Sequence, residues 1–441
     1  MISKHQRALA ILVGLGLLIA YLLQLASPLR LWQDGIDHLV VAESVLDGHG
    51  FHRDWGSEPP GYPAMVVLLS ALGLAHPAGF IALNLASLAL ALISAFLICR
   101  NAFGFGRWTS TLIVMLTPLS WVVVKHSTLA AGDIPYFGVS MAALAALGAV
   151  QRRGSALLWL AAASLTTAAI LIRTIGIALL PAVLWVAWHA RTSGMPTLQK
   201  PVRPGGRLKN WLGLGCVFVV VGVVIVSVLK TVYASQIPSV YSRGVLEVVL
   251  EGIVANLKEL GEIVTNVPAS KTPGLLRPTY LGLGLIPVAG LVYGLWLRRA
   301  SLGAVDLYLG GYLFIRCVWP YHDARFWVPV LPLAMGWTVT SVKSLGHRWP
   351  IRRLIQGYVV AFAFLGVLAL AYSTRISFSG STFPALYGDG TLRPAYEAAF
   401  GHAAPPDLSV KNRVALRLLR RFGYPTSTQG RRPRFPLSEP Q

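Results

Sequence analysis

The sequence predicts an all-α polytopic membrane protein, and three observations carry this prediction. Of the 441 residues, 55% are hydrophobic and only 12% are charged, whereas a soluble domain carries about 25% charged residues. Apolar runs of the roughly 20 residues that cross a bilayer recur along the chain. Lysines and arginines gather at alternate ends of these runs. These features exclude a water-soluble globule, a disordered chain and a collagen-like fibre.

The formal net charge is +21, from 38 Lys and Arg against 17 Asp and Glu. In a soluble protein this excess would suggest a nucleic-acid partner. Here the cations lie at predicted cytoplasmic helix ends, where they set membrane topology. No nucleic-acid recognition motif accompanies them, so nucleic acid is not among the predicted partners. Cys99, Cys216 and Cys317 lie in or beside apolar runs without metal-ligand spacing and are predicted to be small core residues.

The apolar runs define about 11 predicted transmembrane helices. Residues 1–7 are basic and place the N-terminus inside, and a cleaved signal peptide is the alternative interpretation. Residues 62–75 are apolar but short and flanked by proline, so they predict a juxtamembrane or re-entrant segment. The predicted spans cover residues 8–26, 78–99, 109–124, 134–150, 156–172, 175–190, 211–233, 281–297, 304–319, 326–345 and 354–372.

This topology leaves three long segments on the non-cytoplasmic face: residues 27–77, 234–280 and 373–441. We divide the chain into a transmembrane domain, residues 1–375, and a basic C-terminal tail, residues 376–441, which is partly disordered at its Pro-rich end. The basic stretch from Arg413 to Arg421 fits either a helix on anionic headgroups or a solvated basic helix. Residues 245–264 have helical apolar spacing and predict a surface helix or lid.

Acidic residues concentrate in the first outside loop. The acids and histidines there are Asp34, Asp37, His38, Glu43, Asp47, His49, His52, Asp54 and Glu58. Apolar spacing predicts a short amphipathic helix on the membrane surface, ended by Gly48 or Gly50. Asp34, Asp37 and His38 share one face of that helix, where a reacting group would meet a lipid headgroup. Helix capping by Asp34 and a favourable dipole interaction of Asp37 are the structural alternative.

Three motifs follow one another over roughly residues 1–335. They are Asp34-Gly35-Ile36-Asp37-His38 with Glu58-Pro59-Pro60-Gly61-Tyr62-Pro63, then Gly132-Asp133-Ile134-Pro135, then Arg325-Phe326-Trp327-Val328-Pro329. In this order they resemble the GT-C superfamily of membrane glycosyltransferases. The nearest branch holds the bacterial relatives of protein O-mannosyltransferases and the aminoarabinose transferase of lipid A. The sequence departs from that pattern at Gly35, His38 and Glu58, where family members carry Glu, a Tyr-like residue and Lys.

The resemblance implies a GT-C-like helix bundle and an inverting glycosyltransferase. A sugar would move from a polyprenyl-phosphate donor to a hydroxyl of a glycan, lipid or protein acceptor. The site would face the periplasm or exterior of a multi-pass protein in the cell (inner) membrane. Asp34 is implied as the catalytic base. Asp133 is implied as a second catalytic acid that orients the acceptor, assists Asp34 or helps to hold a cation, and N-capping of the next helix is its alternative role.

The departing phosphate needs cations on the same face. Arg325 is the strongest candidate because a guanidinium binds phosphate oxygens bidentately, and simple pairing with Asp323 is the alternative. Arg173 interrupts an apolar run, which predicts function or pairing, and snorkelling to the interface is the alternative. The acids leave Mg²⁺ or Mn²⁺ open as a cofactor, with no ligand set assigned. The remaining substrate-binding candidates are Asp37, His38, Glu58, Lys125 and His126.

Two other functions remain open at this point. A transporter or flippase of an anionic lipid or solute is suggested by Arg173, Arg316 and Arg325 near the spans. It predicts internal repeats and helices broken at the midplane, and no obvious repeat is present in the sequence. A lipid-linked sugar polymerase or ligase would share the substrates but not the early acidic loop.

Overall fold

The computed structural model describes residues 4–51, 59–192, 244–345, 349–387, 391–402 and 407–423. Within these ranges the chain is helical, and a single isolated bridge joins Arg30 to Leu129. The predicted span 211–233 and Glu58 lie outside the described residues.

The described helices range in length from 5 residues to 29 residues. In chain order they are α1 Lys4–Leu23, α2 Gln33–Leu46, α3 Gly61–Ala71, α4 Pro77–Asn101, α5 Arg107–Leu116, α6 Trp121–His126, α7 Asp133–Arg153, α8 Ala156–Ile172, α9 Leu180–Thr192, α10 Val245–Thr265, α11 Thr279–Arg298, α12 Ala304–Val318, α13 Leu331–Ser344, α14 Trp349–Ser377, α15 Phe383–Tyr387, α16 Arg393–Ala399 and α17 Val410–Phe422. Short 3₁₀ segments at Thr117–Leu119, Thr174–Leu179 and Ala324–Val330 join several of them.

Five helical stretches in the described part of the chain are long and apolar enough to cross a bilayer, which makes this a multi-pass membrane protein. They are Pro77–Asn101, Asp133–Arg153, Thr174–Thr192, Gly274–Ser301 and Arg353–Ser377. Shorter apolar helices lie at Ile11–Ala26, Gly61–Ala71 and Ala156–Ile172. The predicted number of about 11 spans is therefore not confirmed, whereas the all-helical membrane class is.

Several predicted spans are not continuous α-helices. The run 109–124 divides into α5, the 3₁₀ turn Thr117–Leu119 and the six-residue α6. Pro118 lies in this turn, and proline removes a backbone donor and clashes with the preceding turn. The segment 326–345 likewise begins as the 3₁₀ turn Ala324–Val330 before α13, with Pro329 inside the turn. Apolar composition alone misses both breaks.

Helix α7 is the central helix of the bundle. Its apolar stretch is 67% buried, against 17% for α14 at the periphery. Close helix contact explains this position, because a Cβ atom at Gly138 would lie 2.6 Å from the Ser87 carbonyl oxygen of α4. Small residues allow such close approach between membrane helices. Close packing against α4 therefore holds the N-terminal part of α7 in place.

A second apolar cluster lies outside this bundle and joins the first outside loop to the C-terminal helices. Residues of α2 and α3 pack there against α15, α16 and α17. The apolar face of α17 is buried, and Arg417 and Arg421 form ion pairs with Glu43 and Asp47 of α2. The apolar face of this helix thus packs on protein, and the contact of its exposed basic residues with headgroups or solvent stays a prediction. The division at residue 375 stays a prediction.

Candidate active site

Helix α2 carries Asp34 in its first turn. The N-cap position of this helix is occupied by Trp32, and Asp34 lies inside the first turn, so Asp34 is not the N-cap residue. Gly35 allows close packing here, since a Cβ at this position would lie 2.5 Å from the Ala130 carbonyl oxygen. The loop before α7 and the start of α2 are therefore in direct contact. This contact explains why glycine occupies the second position of the motif.

Asp133 is the first residue of α7 and follows Gly132, which occupies the N-cap position. Its side chain is 2% exposed. A buried carboxylate needs a partner because desolvation of an isolated charge is costly. Asp133 finds this partner in Arg173, whose Nη2 lies 3.1 Å from Asp133 Oδ1. Arg173 itself is an extended residue between α8 and the 3₁₀ turn Thr174–Leu179.

Arg325 completes an arginine–carboxylate cluster, defined here as Asp34, Asp133, Arg173 and Arg325. Its Nη2 lies 2.7 Å from Asp34 Oδ2, and Arg173 Nη2 lies 3.2 Å from the same oxygen. Asp34 therefore bridges two guanidinium groups on distant elements, since Arg173 lies 139 positions and Arg325 lies 291 positions after it.

The two arginines keep unused donors inside the cluster. Among the described residues, Arg173 Nε and Arg325 Nε and Nη1 are buried and donate no hydrogen bond, and Asp133 Oδ2 accepts none. Arg325 Nη1 lies 4.0 Å from this Asp133 oxygen, which is an ion-pair distance but too long for a hydrogen bond. Buried donors without acceptors are costly. An anion with several oxygens would satisfy them.

Asp323 adds a third carboxylate at the edge of the cluster. Its Oδ1 accepts a hydrogen bond of 2.9 Å from the Arg325 backbone N–H, and its Oδ2 lies 3.7 Å from Arg325 Nε. The predicted alternative, pairing of Asp323 with Arg325, is thus present together with the contact to Asp34. The two arginines and the three aspartates give the site a formal net charge of −1.

The pKa values of the three titratable residues at the start of α2 are shifted by different amounts and not all in the same direction. Burial raises the pKa of the Asp34 carboxyl, but Arg325 and Arg173 outweigh it and lower this pKa to about 2. Burial and the charge of Asp34 raise the pKa of Asp37 to about 6. Burial lowers the pKa of His38 to about 4. At neutral pH the cluster therefore holds an ionised Asp34 above a neutral imidazole.

Phe326 organises the arginines from one side. The guanidinium carbons of Arg173, Arg316 and Arg325 lie 5.2, 4.9 and 5.0 Å from the centre of its ring. Cations near an aromatic face are attracted by the ring quadrupole. The Tyr312 hydroxyl donates a hydrogen bond to the Phe326 carbonyl oxygen and so fixes the backbone of this residue.

The other predicted site residues lie around the cluster. His38 is buried and its ring centre lies 5.1 Å from that of Tyr62. His126 is buried, with Nδ1 3.9 Å from Asp133 Oδ2. Lys125 Nζ lies 4.1 Å from the centre of the Trp32 ring. Asp37 is half-buried. Their roles as substrate-binding residues stay predictions, as does that of Glu58, which is not among the described residues.

Sequence reasoning missed a second buried polar cluster, which lies around Arg316 and also borders Phe326. Arg316 Nη2 donates hydrogen bonds of 2.7 Å to both Asn256 Oδ1 and Glu259 Oε2, and Trp327 Nε1 donates to the same Glu259 oxygen at 2.9 Å. Burial raises the pKa of Glu259 to about 7, although Arg316 lowers it. The spacing of Asn256 and Glu259 on one face of α10 was the signal available in the sequence.

A divalent cation does not fit the cluster as it stands. Among the described residues no three His, Cys, Asp or Glu side chains form a group that could hold a metal ion. The carboxylates of Asp34 and Asp133 already contact guanidinium groups. Mg²⁺ prefers an octahedron of oxygens at about 2.0–2.1 Å, and adjacent positive charges oppose it. No step of the reaction proposed below uses a metal, and the Mg²⁺ or Mn²⁺ cofactor stays a prediction.

No protein-family model and no curated protein matches the chain. Among solved structures, the chain is similar to ArnT from Cupriavidus metallidurans bound to undecaprenyl phosphate, with a TM-score of 0.46 and 16% identity over 93% of this chain and 76% of that chain. It is also similar to the apo state of ArnT from the same organism, with a TM-score of 0.47 and 18% identity over 95% and 78%. ArnT is a GT-C aminoarabinose transferase. With TM-scores below 0.5, these similarities carry no conclusion about the function of this chain.

Proposed function

We propose that the protein is an inverting glycosyltransferase that uses a polyprenyl-phosphate sugar as donor. The single observation that carries this proposal is the bridging position of Asp34 between Arg173 and Arg325, which keep buried N–H groups without acceptors. One carboxylate beside two guanidinium groups provides both a base and a phosphate site. The order of the three sequence motifs, which resembles that of the GT-C superfamily, also supports this proposal.

The arginines would hold the departing phosphate. A phosphate monoester offers several oxygens, and guanidinium groups bind such oxygens bidentately. The unused N–H groups of Arg173 and Arg325 are available for these bonds. Developing charge on the leaving phosphate is then stabilised by groups that are already in place, which is the largest contribution in many enzyme sites.

Donor binding would also activate the base. In the free site the pKa of Asp34 is lowered to about 2, which makes it a weak base at neutral pH. A phosphate bound to the two arginines neutralises part of their charge, and the pKa of Asp34 then rises towards its ordinary value. The base would therefore become effective only when the donor is present.

The reaction balances without a further reactant. The acceptor oxygen forms a bond to the anomeric carbon of the sugar, and the bond from that carbon to the phosphate oxygen breaks. The acceptor proton passes to Asp34, and polyprenyl phosphate leaves on the arginines. Attack on the face opposite the leaving group inverts the anomeric centre. Asp133, held by Arg173 at the other edge, would orient the acceptor hydroxyl.

The proposed site faces the non-cytoplasmic side of the cell membrane. This face follows from the basic N-terminus and the cationic connections on the cytoplasmic side. Asp34 follows α1 directly, and Arg325 follows α12, so both would lie at non-cytoplasmic helix ends in the predicted topology. The acceptor is a hydroxyl of a glycan, a lipid or a protein.

Substitution of the base tests this function. We expect Asp34→Asn to lower sugar transfer from a labelled polyprenyl-phosphate sugar by at least about a hundredfold, because a positioned base contributes about 10²–10⁴ to rate. Membrane insertion and the amount of protein should not change. Asp407→Asn, at an exposed carboxylate, is the control and should retain transfer.

Two results would contradict the proposal. Full transfer activity in Asp34→Asn would remove this residue as the base. Movement of an anionic lipid across proteoliposomes by the wild-type protein, with no sugar transfer to any acceptor, would favour the transporter or flippase instead.

A further inference from the structure

The described C-terminal helices contact the chain on both sides of Asp34. The C-terminal unit is defined here as α15, α16 and α17. At the entry to α2, the Leu31 backbone N–H donates a hydrogen bond of 2.8 Å to the Tyr396 hydroxyl oxygen, which in turn donates to the Leu29 carbonyl oxygen at 2.9 Å. The Tyr387 hydroxyl donates to the Leu31 carbonyl oxygen at 2.8 Å. Two tyrosines of one unit thus fix the extended segment directly before α2.

At the other end of α2, the same unit forms ion pairs. Arg417 Nη2 lies 2.9 Å from Glu43 Oε2, and Arg421 Nη1 lies 3.4 Å from Glu43 Oε1. Arg421 also donates two hydrogen bonds, of 3.0 and 2.8 Å, to the two oxygens of Asp47. The Glu43 side chain is only 9% exposed. Because burial removes water from the Glu43 carboxylate, this charge needs the two arginines as partners.

The ion pairs have one register. Glu43 and Arg417 are 374 positions apart, and so are Asp47 and Arg421. The charge of Lys411 acts on Asp37, which is again 374 positions away. Pairs at a constant separation show that α2 and α17 run parallel. An apolar helix face can pack in more than one register, and charges select among such registers.

Burial holds the two helices together while the charges set their alignment. The apolar residues of α17 and α2 share one buried cluster, which supplies the association. Exposed ion pairs add only about 0–1 kcal/mol each, and Arg417 is 56% exposed. A slip by one helical turn would bring Glu43 out of reach of both arginines and would move Asp34 along the helix axis by about 5.4 Å.

We propose that the C-terminal unit is a positioning element that holds α2 in the register that places Asp34 against Arg173 and Arg325. This inference rests on the proposed function for its effect on catalysis, but not for its effect on α2. The unit contacts the segment before Asp34 through Tyr387 and Tyr396 and the helix after it through Arg417 and Arg421. Residues of the unit are positioning residues and touch no substrate.

The positioning role predicts a specific kinetic change. The base lies on α2, whereas Arg173 and Arg325 lie on other elements. A shift of α2 should therefore lower kcat and leave the KM for the donor within about twofold. A misplaced catalytic group costs about tenfold to a hundredfold in rate. We expect Arg417→Glu/Arg421→Glu to lower kcat by about this factor.

Hydrogen exchange measures the same role without an assay of activity. In Arg417→Glu/Arg421→Glu, backbone amides of residues 33–46 should exchange at least about tenfold faster in detergent, because opening of a helix released from its partner costs less free energy. The matched control is Arg393→Glu/Arg413→Glu, which changes the charge of the same unit equally. Arg393 pairs with Glu397 and Arg413 with the Leu408 carbonyl oxygen, so exchange in α2 should not change.

Reversal of the partners gives the rescue. Adding Glu43→Arg and Asp47→Arg to Arg417→Glu/Arg421→Glu restores opposite charges at all three contacts and should restore slow exchange in α2 and most of kcat. Unchanged exchange in Arg417→Glu/Arg421→Glu, or an equal change in the control, would overturn the positioning role. Faster exchange with unchanged kcat would overturn its link to catalysis. A wild-type protein without sugar transfer contradicts the proposed function instead, and exchange in α2 still decides whether the C-terminal unit holds this helix.

Discussion

Asp37 lies one helical turn after Asp34, yet the pKa values of the two carboxyls shift in opposite directions. The pKa of Asp34 is lowered to about 2 despite burial, because two arginines stabilise its charge. The pKa of Asp37 is raised to about 6 by burial and by the charge of Asp34. One helix turn therefore holds a carboxylate that is charged at all physiological pH values and another that titrates just below neutrality.

These shifts give opposite dependences of stability on pH. A lowered pKa in the folded state stabilises the protein above pH 4, and this contribution is lost as the pH falls from about 4 towards 2. A raised pKa does the reverse. Asp37 costs nothing below about pH 4, where it is protonated in both states, and it destabilises the folded protein increasingly as the pH rises from about 4 to about 6, above which the cost stays constant.

Asp37→Asn should therefore stabilise the protein at pH 8 and leave it unchanged at pH 4. The expected gain at pH 8 is about 1–2 kcal/mol, discounted from the full pKa shift because Asp37 is partly exposed. The measurement is the free energy of unfolding, or the apparent Tm, in detergent at the two pH values. An equal gain at both pH values would show that ionisation of Asp37 is not its cause.

At the scale of elements, Asp306 joins three helices at the end of the bundle opposite the cluster. It lies in the first turn of α12, and its carboxylate accepts bonds of 2.7 and 2.8 Å from Arg298 at the end of α11. The Trp337 indole N–H of α13 donates to it at 2.8 Å, and the Gly303 backbone N–H donates at 2.9 Å. Each oxygen thus has two donors, and the buried charge is fully compensated.

Asp306→Asn should destabilise the protein by about 3 kcal/mol, because it leaves the Arg298 guanidinium, whose side chain is only 11% exposed, without its ionic partner. The measurement is unfolding in denaturant or by heat in detergent. Arg299→Ala is the control, since Arg299 lies on the exposed face with its guanidinium carbon 3.9 Å from the Trp296 ring centre. Its loss should cost less than about 1 kcal/mol. Equal effects in the two variants would contradict the role of Asp306.

The sequence predicted the elements whose signal is local. Apolar spacing predicted α2, its end near Gly48, and the helix within 245–264, and the structure has α2, a positive φ of 82° at Gly48 and α10. The span 109–124 was wrong as a continuous helix because apolar composition outweighed Pro118. The apolar run was taken as one helix from its composition alone. A single proline inside such a run is enough to break the helix, because it removes a backbone hydrogen-bond donor.

At the scale of the whole molecule, the sequence could not predict the contacts between distant segments. The motif order placed Asp34 and Arg325 on one face as base and phosphate cation, but it did not predict the contact of 2.7 Å between their side chains. The pairing of Arg316 with Glu259 and the packing of α17 on α2 had no motif. Such contacts depend on which helix faces meet after folding. No motif in this sequence indicates which faces these are.

Arg30 is the clearest of these long-range contacts. It is 4% exposed, and its guanidinium donates to the hydroxyls of Ser27, Thr128, Ser373 and Ser377 and to the Ser373 carbonyl oxygen at 2.9–3.1 Å. These acceptors lie before α2, before α7 and at the end of α14. Burial lowers the pKa of Arg30 to about 10, so the side chain stays charged at neutral pH and uses all five of its donors.

Arg30→Lys should therefore lower the stability of the whole molecule although the charge is retained. A lysine ammonium has three donors and cannot reproduce the planar fork, so at least two buried hydroxyl or carbonyl acceptors lose their bonds, at about 1–3 kcal/mol each. The measurement is the apparent Tm in detergent, with limited proteolysis to locate the opening. Arg393→Lys, at an arginine that is 53% exposed, is the control and should leave the Tm unchanged. An Arg30→Lys protein as stable as the wild type would show that these bonds contribute nothing to holding the first loop, the α6–α7 turn and α14 together.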